Sequence, residues 1–538
     1  MNEEDEKTTL IRPDSSTTKG EPSMKKMSSV LVAALLIVCM ALTPCLGAFA
    51  EGGEVTVGLS SSVINLGPWE VGDPFYYCIV NNVYQPLGIM KDGRIQNVLM
   101  KDATTEDGFT YTVTLYDGIK DTAGNPFTAS DAVFSLLSSR NFAAKYAKYV
   151  ADAAVIDDTT FTVTLNSDGL GVWEGVLNYT FMVTEAAYKA SEDGMSSSPV
   201  GTGAYKLTNF VAGSSFTVEK ADDFWQKDLS LLPSNYVPSV DKVTYDIITE
   251  TTQMDVALRQ GKIQMGWKTN ASLINDLQQV DNLSIVKADA GLIYYLGFNM
   301  TDKSVFKDNL ALRQAILYAF DEEAVAEAAT SGLGTPGTAM QSASKALYNP
   351  EWDTWEYYQY DEAKAKEKLA EAGYKPGELT IEGICNGSNP IYGTVMEVIQ
   401  AYLSVIGIDL KISPYDASTF NKYRDAAAYD YDIVISSTDA TDFPGTTLGY
   451  HFDRRNYASG NTLTGIHDDT FQAMLENLMT PAGNTQENAN EIQSYIRDNA
   501  YAYSLYTNYA FCVYDASKLA AAPEVVQTWI GATAVELK

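Results

Sequence analysis

The sequence predicts an α/β chain of two compact bodies joined by two separate crossings of the backbone. Three observations lead there. Residues 294–300, Tyr-Tyr-Leu-Gly-Phe-Asn-Met, alternate so that Leu296, Phe298 and Met300 share one face, the pattern of a half-buried strand. After a polar break at Thr301-Asp302-Lys303-Ser304, the residues Leu312, Ala315, Ile316, Ala319 and Phe320 recur at helical spacing. A strand that leaves one body and feeds a helix of the next has this form. A second strand pattern, 503–514, returns late in the chain. Two crossings far apart in sequence are what a hinge between lobes requires. Pattern alone also allows 294–325 to be an ordinary strand–loop–helix unit of any α/β domain.

The 538 residues leave room for roughly three or four domain-sized units. Hydrophobic residues make up 46% and charged residues 20%, as expected for a globular chain with a real core. The net charge of -32 repels nucleic acid and anionic membrane, so neither is an expected partner. It can attract cationic ligands, or simply keep the chain soluble. With two histidines, His451 and His467, a histidine-built metal site or a Ser-His nucleophile has little to draw on. No metal, cofactor or catalytic residue is expected. The five cysteines lack metal-ligand spacing. Cys39 and Cys45 fall in a segment expected to be removed. Cys78, Cys385 and Cys512 remain, enough for at most one internal disulfide, whose pairing cannot be read from sequence.

Residues 1–23 are polar and show no hydrophobic period. Met24-Lys25-Lys26-Met27, the apolar run 30–42 and Ala48-Phe49-Ala50 have the order of a secretory signal cleaved after Ala50. The run is shorter than the ~20 residues of a membrane span, and Pro44 interrupts its end. Leu42-Thr43-Pro44-Cys45 has the outline of a lipoprotein signal, with Pro44 where a small residue belongs, so lipidation of Cys45 is the alternative. Past the signal, 54–59, 111–115 and 161–165 alternate as strands. Thr128 can cap a helix over 131–137, with Asp131 in its first turn. In Pro199-Val200-Gly201-Thr202-Gly203-Ala204-Tyr205 the two glycines offer a turn with positive φ before a strand at 205–210. No Lys-Ser/Thr pair and no helix start follow, so this is not a nucleotide loop. Later, Asp361 caps a helix that Gly373 and Pro376 end. Strand 379–384, helix 394–406, Gly407 and strand 408–412 form a crossover unit, and 431–436 is another strand. Helices begin near Asp468 and Asn484.

Several of these segments resemble one family in the correct order. They are Val83-Tyr84-Gln85-Pro86-Leu87, Pro199-Val200-Gly201-Thr202-Gly203, Tyr245-Asp246-Ile247-Ile248, Tyr295-Leu296-Gly297-Phe298-Asn299, Leu312-Arg313-Gln314-Ala315, and Tyr360-Asp361 with Leu369 to Tyr374. The family is the extracytoplasmic solute-binding proteins of ABC importers, specifically solute-binding protein family 5 with its dipeptide and oligopeptide binders. The resemblance implies a two-lobed, periplasmic-binding-protein-like α/β fold of class II, in the large cluster with an extra subdomain in lobe I. It implies a signal and extension at 1–50, lobe I at 51–299 with a subdomain inserted at about 76–196, lobe II at 300–502, and a return to lobe I at 503–538. It also implies a monomer outside the cytoplasmic membrane, capturing a peptide-like solute for an ABC permease.

Ligands of such α/β lobes sit at the carboxyl ends of the strands. Strand 431–436 leads into Ser437-Thr438-Asp439-Ala440-Thr441-Asp442-Phe443-Pro444. In peptide-binding relatives this loop pairs its backbone with an extended peptide, and an Asp holds the peptide's ammonium. The resemblance places that Asp at Asp439, with Ser436, Ser437 and Thr438 beside it. Asp439 closing an Asx-turn is the plain alternative. The family's Gly-Trp is Ile435-Ser436 here, which removes an aromatic wall and puts small-dipeptide specificity in doubt. Some relatives carry an Arg near Asn386 for the ligand carboxylate. Asn386 is neutral, leaving Arg424, Arg454 and Arg455 as candidate cations, with Tyr392 and Tyr415 as candidate cleft walls. The runner-up ligands are an oligosaccharide, an opine or a metal chelate. A secreted hydrolase using Asp439 and Asp442 is the reading from another class.

Overall fold

The computed structural model describes residues 53–538, apart from 71–73, 92–93, 143–145, 356–357, 426–428, 439–442, 457–462 and 527–528. The signal segment 1–50, the lipidation alternative at Cys45, and the loop residues Asp439 and Asp442 therefore lie outside the described residues.

One long sheet organises the fold. Its strands are β1 (Glu54–Leu59), β2 (Tyr205–Val211), β3 (Ser215–Lys220), β4 (Lys242–Ile247), β5 (Met265–Trp267), β6 (Leu283–Phe298), β7 (Leu379–Asn386), β8 (Ile408–Tyr415), β9 (Ile433–Ser437) and β10 (Ala502–Asp515). They stand side by side in the order β2-β3-β4-β1-β5-β10-β6-β9-β7-β8, with Thr335–Pro336 added to β10. The two long strands in the middle, β6 and β10, run antiparallel to each other along most of their length. To one side β1 is parallel to β4 and β5. To the other side β7 is parallel to β8 and β9.

The cores divide at the same two strands. A large core runs from Ile293 to Tyr506 and includes Leu312, Ile316, Leu369, Ile399 and Ile492. A second holds Val55, Val57, Tyr84, Tyr245 and Trp267 with the C-terminal Trp529. A third fills the space between a four-stranded antiparallel sheet and helices α2 and α3, around Leu115, Phe161 and Trp173. The helices used below are α1 (Pro74–Val83), α2 (Ala129–Ser139), α3 (Val172–Tyr179), α4 (Leu310–Tyr318), α5 (Pro390–Val405), α6 (Pro444–Phe452) and α7 (Asp469–Leu478). Capping follows the sequence: the Asp131 carboxylate accepts from Thr128 N at 2.8 Å, and Asp361 accepts from Lys364 N.

Two expectations change. Residues 294–300 are not half-buried, since Tyr295, Leu296, Phe298 and Asn299 are each fully buried. The strand is central, between β10 and β9, and both faces are covered; alternation therefore misled. Gly201 and Gly203 are not among the residues with positive φ. They are small because the chain passes tightly over the end of α1. A Cβ on Gly203 would lie 2.4 Å from the Asn82 carbonyl oxygen, and one on Gly201 would lie 2.2 Å from that of Val83. Cys78, Cys385 and Cys512 are buried thiols outside any disulfide. Burial pushes the Cys385 thiol up to about 11 and that of Cys512 further.

Candidate functional site

The register fixes where a cleft must lie. The β5 chain ends at Trp267, opposite Cys512, and Thr269 N donates to the Phe511 carbonyl at 3.0 Å. The β9 chain ends at Ser437, opposite Tyr294, which in turn faces Tyr506. Both strands run toward the stretch 507–511 of β10, from opposite sides. Six residue steps of strand, from Tyr506 to Cys512, separate the two sets of carboxyl ends, about 20 Å. The parallel strands of both bodies thus end at one crevice, the position at which open α/β sheets bind ligands. Its floor is irregular: β6 loses register with β10 between Asp289 and Ile293 and again between Tyr294 and Tyr295. Asp289 holds this bulge, accepting from Gly291 N at 2.7 Å and from the Ser342 hydroxyl at 2.6 Å.

On the second body, β9 is held in register to its end and Thr438 beyond it is held as well. Ser436 and Ser437 pair with Tyr295 and Tyr294. Thr438 N donates to the Ile293 carbonyl at 2.8 Å, and Ile293 N donates to the Thr438 hydroxyl at 2.9 Å. Thr438 is buried, and its hydroxyl continues the ladder in place of a carbonyl. The half-buried Ser437 hydrogen-bonds the Tyr392 phenol, whose burial pushes it up to about 12 against that bond. Tyr392 packs at 5.9 Å from Tyr294, which stacks flat on Tyr506 at 4.5 Å. Tyr506 is fully buried, and its hydroxyl has no partner among the described residues. The three phenols form the base on which the Ser437 end of the loop rests. Sequence reasoning singled out only Tyr392; Tyr294 and Tyr506 come from two strands more than two hundred residues apart, and no local pattern marks them.

Tyr415 goes elsewhere. It stacks on Tyr423 at 4.8 Å and packs with Ile384, Phe420 and Val434. Tyr392 packs in the large core with Cys385. Ile384 and Cys385 are neighbours on β7 and point to opposite faces, so the two tyrosines flank the sheet rather than share a pocket wall. The Asn386 side chain accepts from Ser388 N at 3.0 Å, closing the turn into α5. The Arg424 side chain lies outside the described residues. Arg454 pairs with Asp469. Arg455 grips Asp453 through Nε at 2.9 and 3.0 Å and reaches Glu476 at 3.7 Å. Both arginines are engaged within the second body.

The two bodies also touch beyond the crossing strands. The Thr446 hydroxyl, in the first turn of α6, donates to the Leu170 carbonyl at 3.2 Å. A Cβ on Gly171, at φ +79°, would lie 2.9 Å from the Phe443 ring. Among the described residues, no group of three or more His, Cys, Asp or Glu is placed to hold a metal, and no helix is long and apolar enough to cross a membrane.

Comparison with known proteins agrees with this geometry. The glutathione-binding protein GsiB of Salmonella typhimurium is 29% identical over 374 residues, 68% of this chain and 70% of that protein. The ABC transporter-associated periplasmic binding protein DppA from Helicobacter pylori, in complex with peptide STSA, superposes with a TM-score of 0.68 at 21% identity. That match covers 90% of this chain and 98% of DppA. NikA from Brucella suis in complex with Fe(III)-EDTA superposes with a TM-score of 0.75 at 19% identity, over 90% of this chain and all of NikA. The fold is the mixed α/β, two-lobed fold of these binding proteins. Family and fold are those of non-enzymatic substrate-binding proteins. The model for bacterial extracellular solute-binding proteins, family 5 (middle), matches residues 94–459, and the chain belongs to that family of ABC-importer solute-binding proteins.

Proposed function

We propose that the chain captures peptides, dipeptides or oligopeptides, in the crevice over residues 507–511 and delivers them to an ABC permease. The carrying observation is the strand Ile433–Ser437, held in register at the carboxyl-end side of the sheet, with Thr438 after it bonded to Ile293. A fixed strand end is a template for adding an extended peptide as a further strand. Asp439 then takes the peptide ammonium by a charge-assisted bond. Glutathione, bound by the relative GsiB, is a tripeptide with one ammonium and two carboxylates, and so fits the same reading.

In this reading lobe I is 51–299 with its insertion at 76–196, lobe II is 300–502, and 503–538 returns to lobe I. The separate cores on either side of β6 and β10 support that division. The protein acts as a monomer outside the cytoplasmic membrane after cleavage of 1–50. Solute binding favours closure because the solute meets both lobes only when they are together. A metal chelate is the second reading, favoured by the likeness to NikA with its Fe(III)-EDTA. Mass spectrometry of ligand released from the purified, gently denatured protein tests the proposal. Retained peptides are the expected result; a retained sugar, opine or chelate overturns it.

A further inference from the structure

The crossing strand β6 bends where it passes between the bodies. Its six residues 287–292 belong to none of the hydrophobic cores, which end at Val286 on one side and resume at Ile293 on the other. Within that stretch β6 takes four residue steps, Asp289 to Ile293, where β10 takes two, Tyr509 to Thr507. The surplus forms a bulge, which bends the strand that carries it. Gly291 takes the turn at φ +71°, and the Lys345 side chain occupies the space that a Cβ there would need. A short irregular stretch of this kind, outside both cores, is where a hinge absorbs its rotation.

A carboxylate fastens this bend to the second body. Asp289 Oδ1 accepts from Gly291 N at 2.7 Å, which closes the bulge on itself. Asp289 Oδ2 accepts from Ser342 Oγ at 2.6 Å and from Ser344 N at 3.2 Å. A hydroxyl bond to a carboxylate at that distance is of the short, charge-assisted kind. Ser342 is buried, and the chain just before it is anchored in the second body. Ala339 and Met340 lie in the large core, and Met340 N donates to Gln493 Oε1 at 2.9 Å. The Ser342 end of the bond is therefore fixed, while the Asp289 end rides on the strand that bends.

We propose that Asp289 is a hinge latch. Its bond to Ser342 holds the crossing strand at the angle of this structure, in which the bodies also meet through Thr446 and Leu170. Opening the crevice turns the first body about the bulge and carries Asp289 away from Ser342. The bond thus biases the ligand-free protein toward the approached form before a solute adds contacts of its own. The latch is indifferent to the chemistry of the solute, so the proposal does not rest on the peptide reading.

Distances between two spin labels on the ligand-free mature chain test this. The labels are attached through Ile156→Cys on the first body and Val405→Cys on the second, both exposed positions, while Cys78, Cys385 and Cys512 are buried. Ser342→Ala removes the donor and leaves the bond from Gly291 to Asp289. Asp289→Asn keeps an acceptor for Gly291 N and removes the charge. Each is expected to raise the ratio of long to short label distances by about threefold or more, the effect of losing one hydrogen bond. The unfolding temperature is expected to stay nearly unchanged, and the two substitutions together to do no more than either alone. Where the two variants differ, Ser342→Ala decides, because it leaves the bulge intact. An unchanged distribution overturns the proposal, as does a shift to shorter distances. A lowered unfolding temperature with an unchanged distribution also overturns it and makes Asp289 a purely structural residue. Solution scattering of the unlabelled variants checks that the labels do not set the result.

Discussion

The Thr446 hydroxyl donates to the carbonyl of Leu170, joining α6 to the core around Trp173. This bond, with the Gly171–Phe443 contact beside it, links the two bodies outside the crossing strands. A neutral hydrogen bond of this kind contributes about 0.5–1.5 kcal/mol. Because it joins one body to the other, it is expected to act on the equilibrium between open and closed forms rather than on the folding of either body. Thr446→Val is expected to weaken solute binding by about three- to tenfold and to leave the unfolding temperature of the ligand-free protein unchanged. Calorimetric titration and thermal melts check this; a lowered melt with unchanged affinity would show the bond to be purely structural.

The turn at 201–203 makes a different prediction. Because its glycines serve close approach rather than positive φ, even alanine is too large. Gly203→Ala would place a methyl against the carbonyls of Asn82 and Val83. Asn82 is itself buried and donates to Cys78 and Tyr245, so α1 cannot shift without cost. Overpacking of this kind costs about 1–3 kcal/mol. Urea unfolding is expected to show that loss. Full stability in Gly203→Ala would mean that α1 has slack.

Acid stability is expected to involve Asp453. Burial alone would raise its carboxyl, but hydrogen bonds from Arg455 and Gln472 outweigh this and hold it below the usual carboxylate range. A depressed folded value means that the contribution is present above about pH 4, the unfolded value, and is lost as the pH falls through the folded value. Glu322, raised by burial, has the opposite sign: its contribution is present at low pH and lost as the pH rises through its folded value. Asp453→Asn is therefore expected to flatten the acid side of the stability profile. Arg455→Met is expected to cost about 1–2 kcal/mol at pH 7, toward the low end for a charged bond because Arg455 is largely exposed. Denaturant midpoints measured from pH 3 to pH 7 decide both.

Much of the fold was legible because local chemistry specifies it. Thr128 with Asp131, Asp361, Gly373 and Gly407 mark helix ends by side-chain caps or by left-handed backbone, and each is used that way. The crossing strands were legible as strands, but alternation could not show that 294–300 is covered on both faces, since that depends on β9 and β10 lying on either side. The site was less legible for the same reason. Tyr294, Tyr392 and Tyr506 meet only through sheet register, and with 34 tyrosines in the chain composition offers no way to choose them. Arg454 and Arg455 drew attention by charge, and their partners Asp469 and Asp453 became apparent only in the folded chain.

Asp439 carries the sharpest prediction. If the solute is a peptide with a free N-terminus, its ammonium must leave water on entering the closed cleft. That transfer costs several kcal/mol unless a fixed carboxylate replaces the lost hydration. Ser437 and Thr438, just before it, are held by the pairing with Tyr294 and by the bonds to Ile293. Removing one member of such a buried pair typically costs ~3–5 kcal/mol. Asp439→Asn preserves side-chain shape and turn propensity and removes only the charge. Peptide affinity is expected to fall at least ~100-fold, about 2.7 kcal/mol. Binding of an N-acetylated peptide, where it is detected, is expected to stay nearly unaltered. Calorimetric titration with a peptide identified from the purified protein decides the matter. Equal affinity of wild type and Asp439→Asn for a free-amine peptide would return Asp439 to a turn residue.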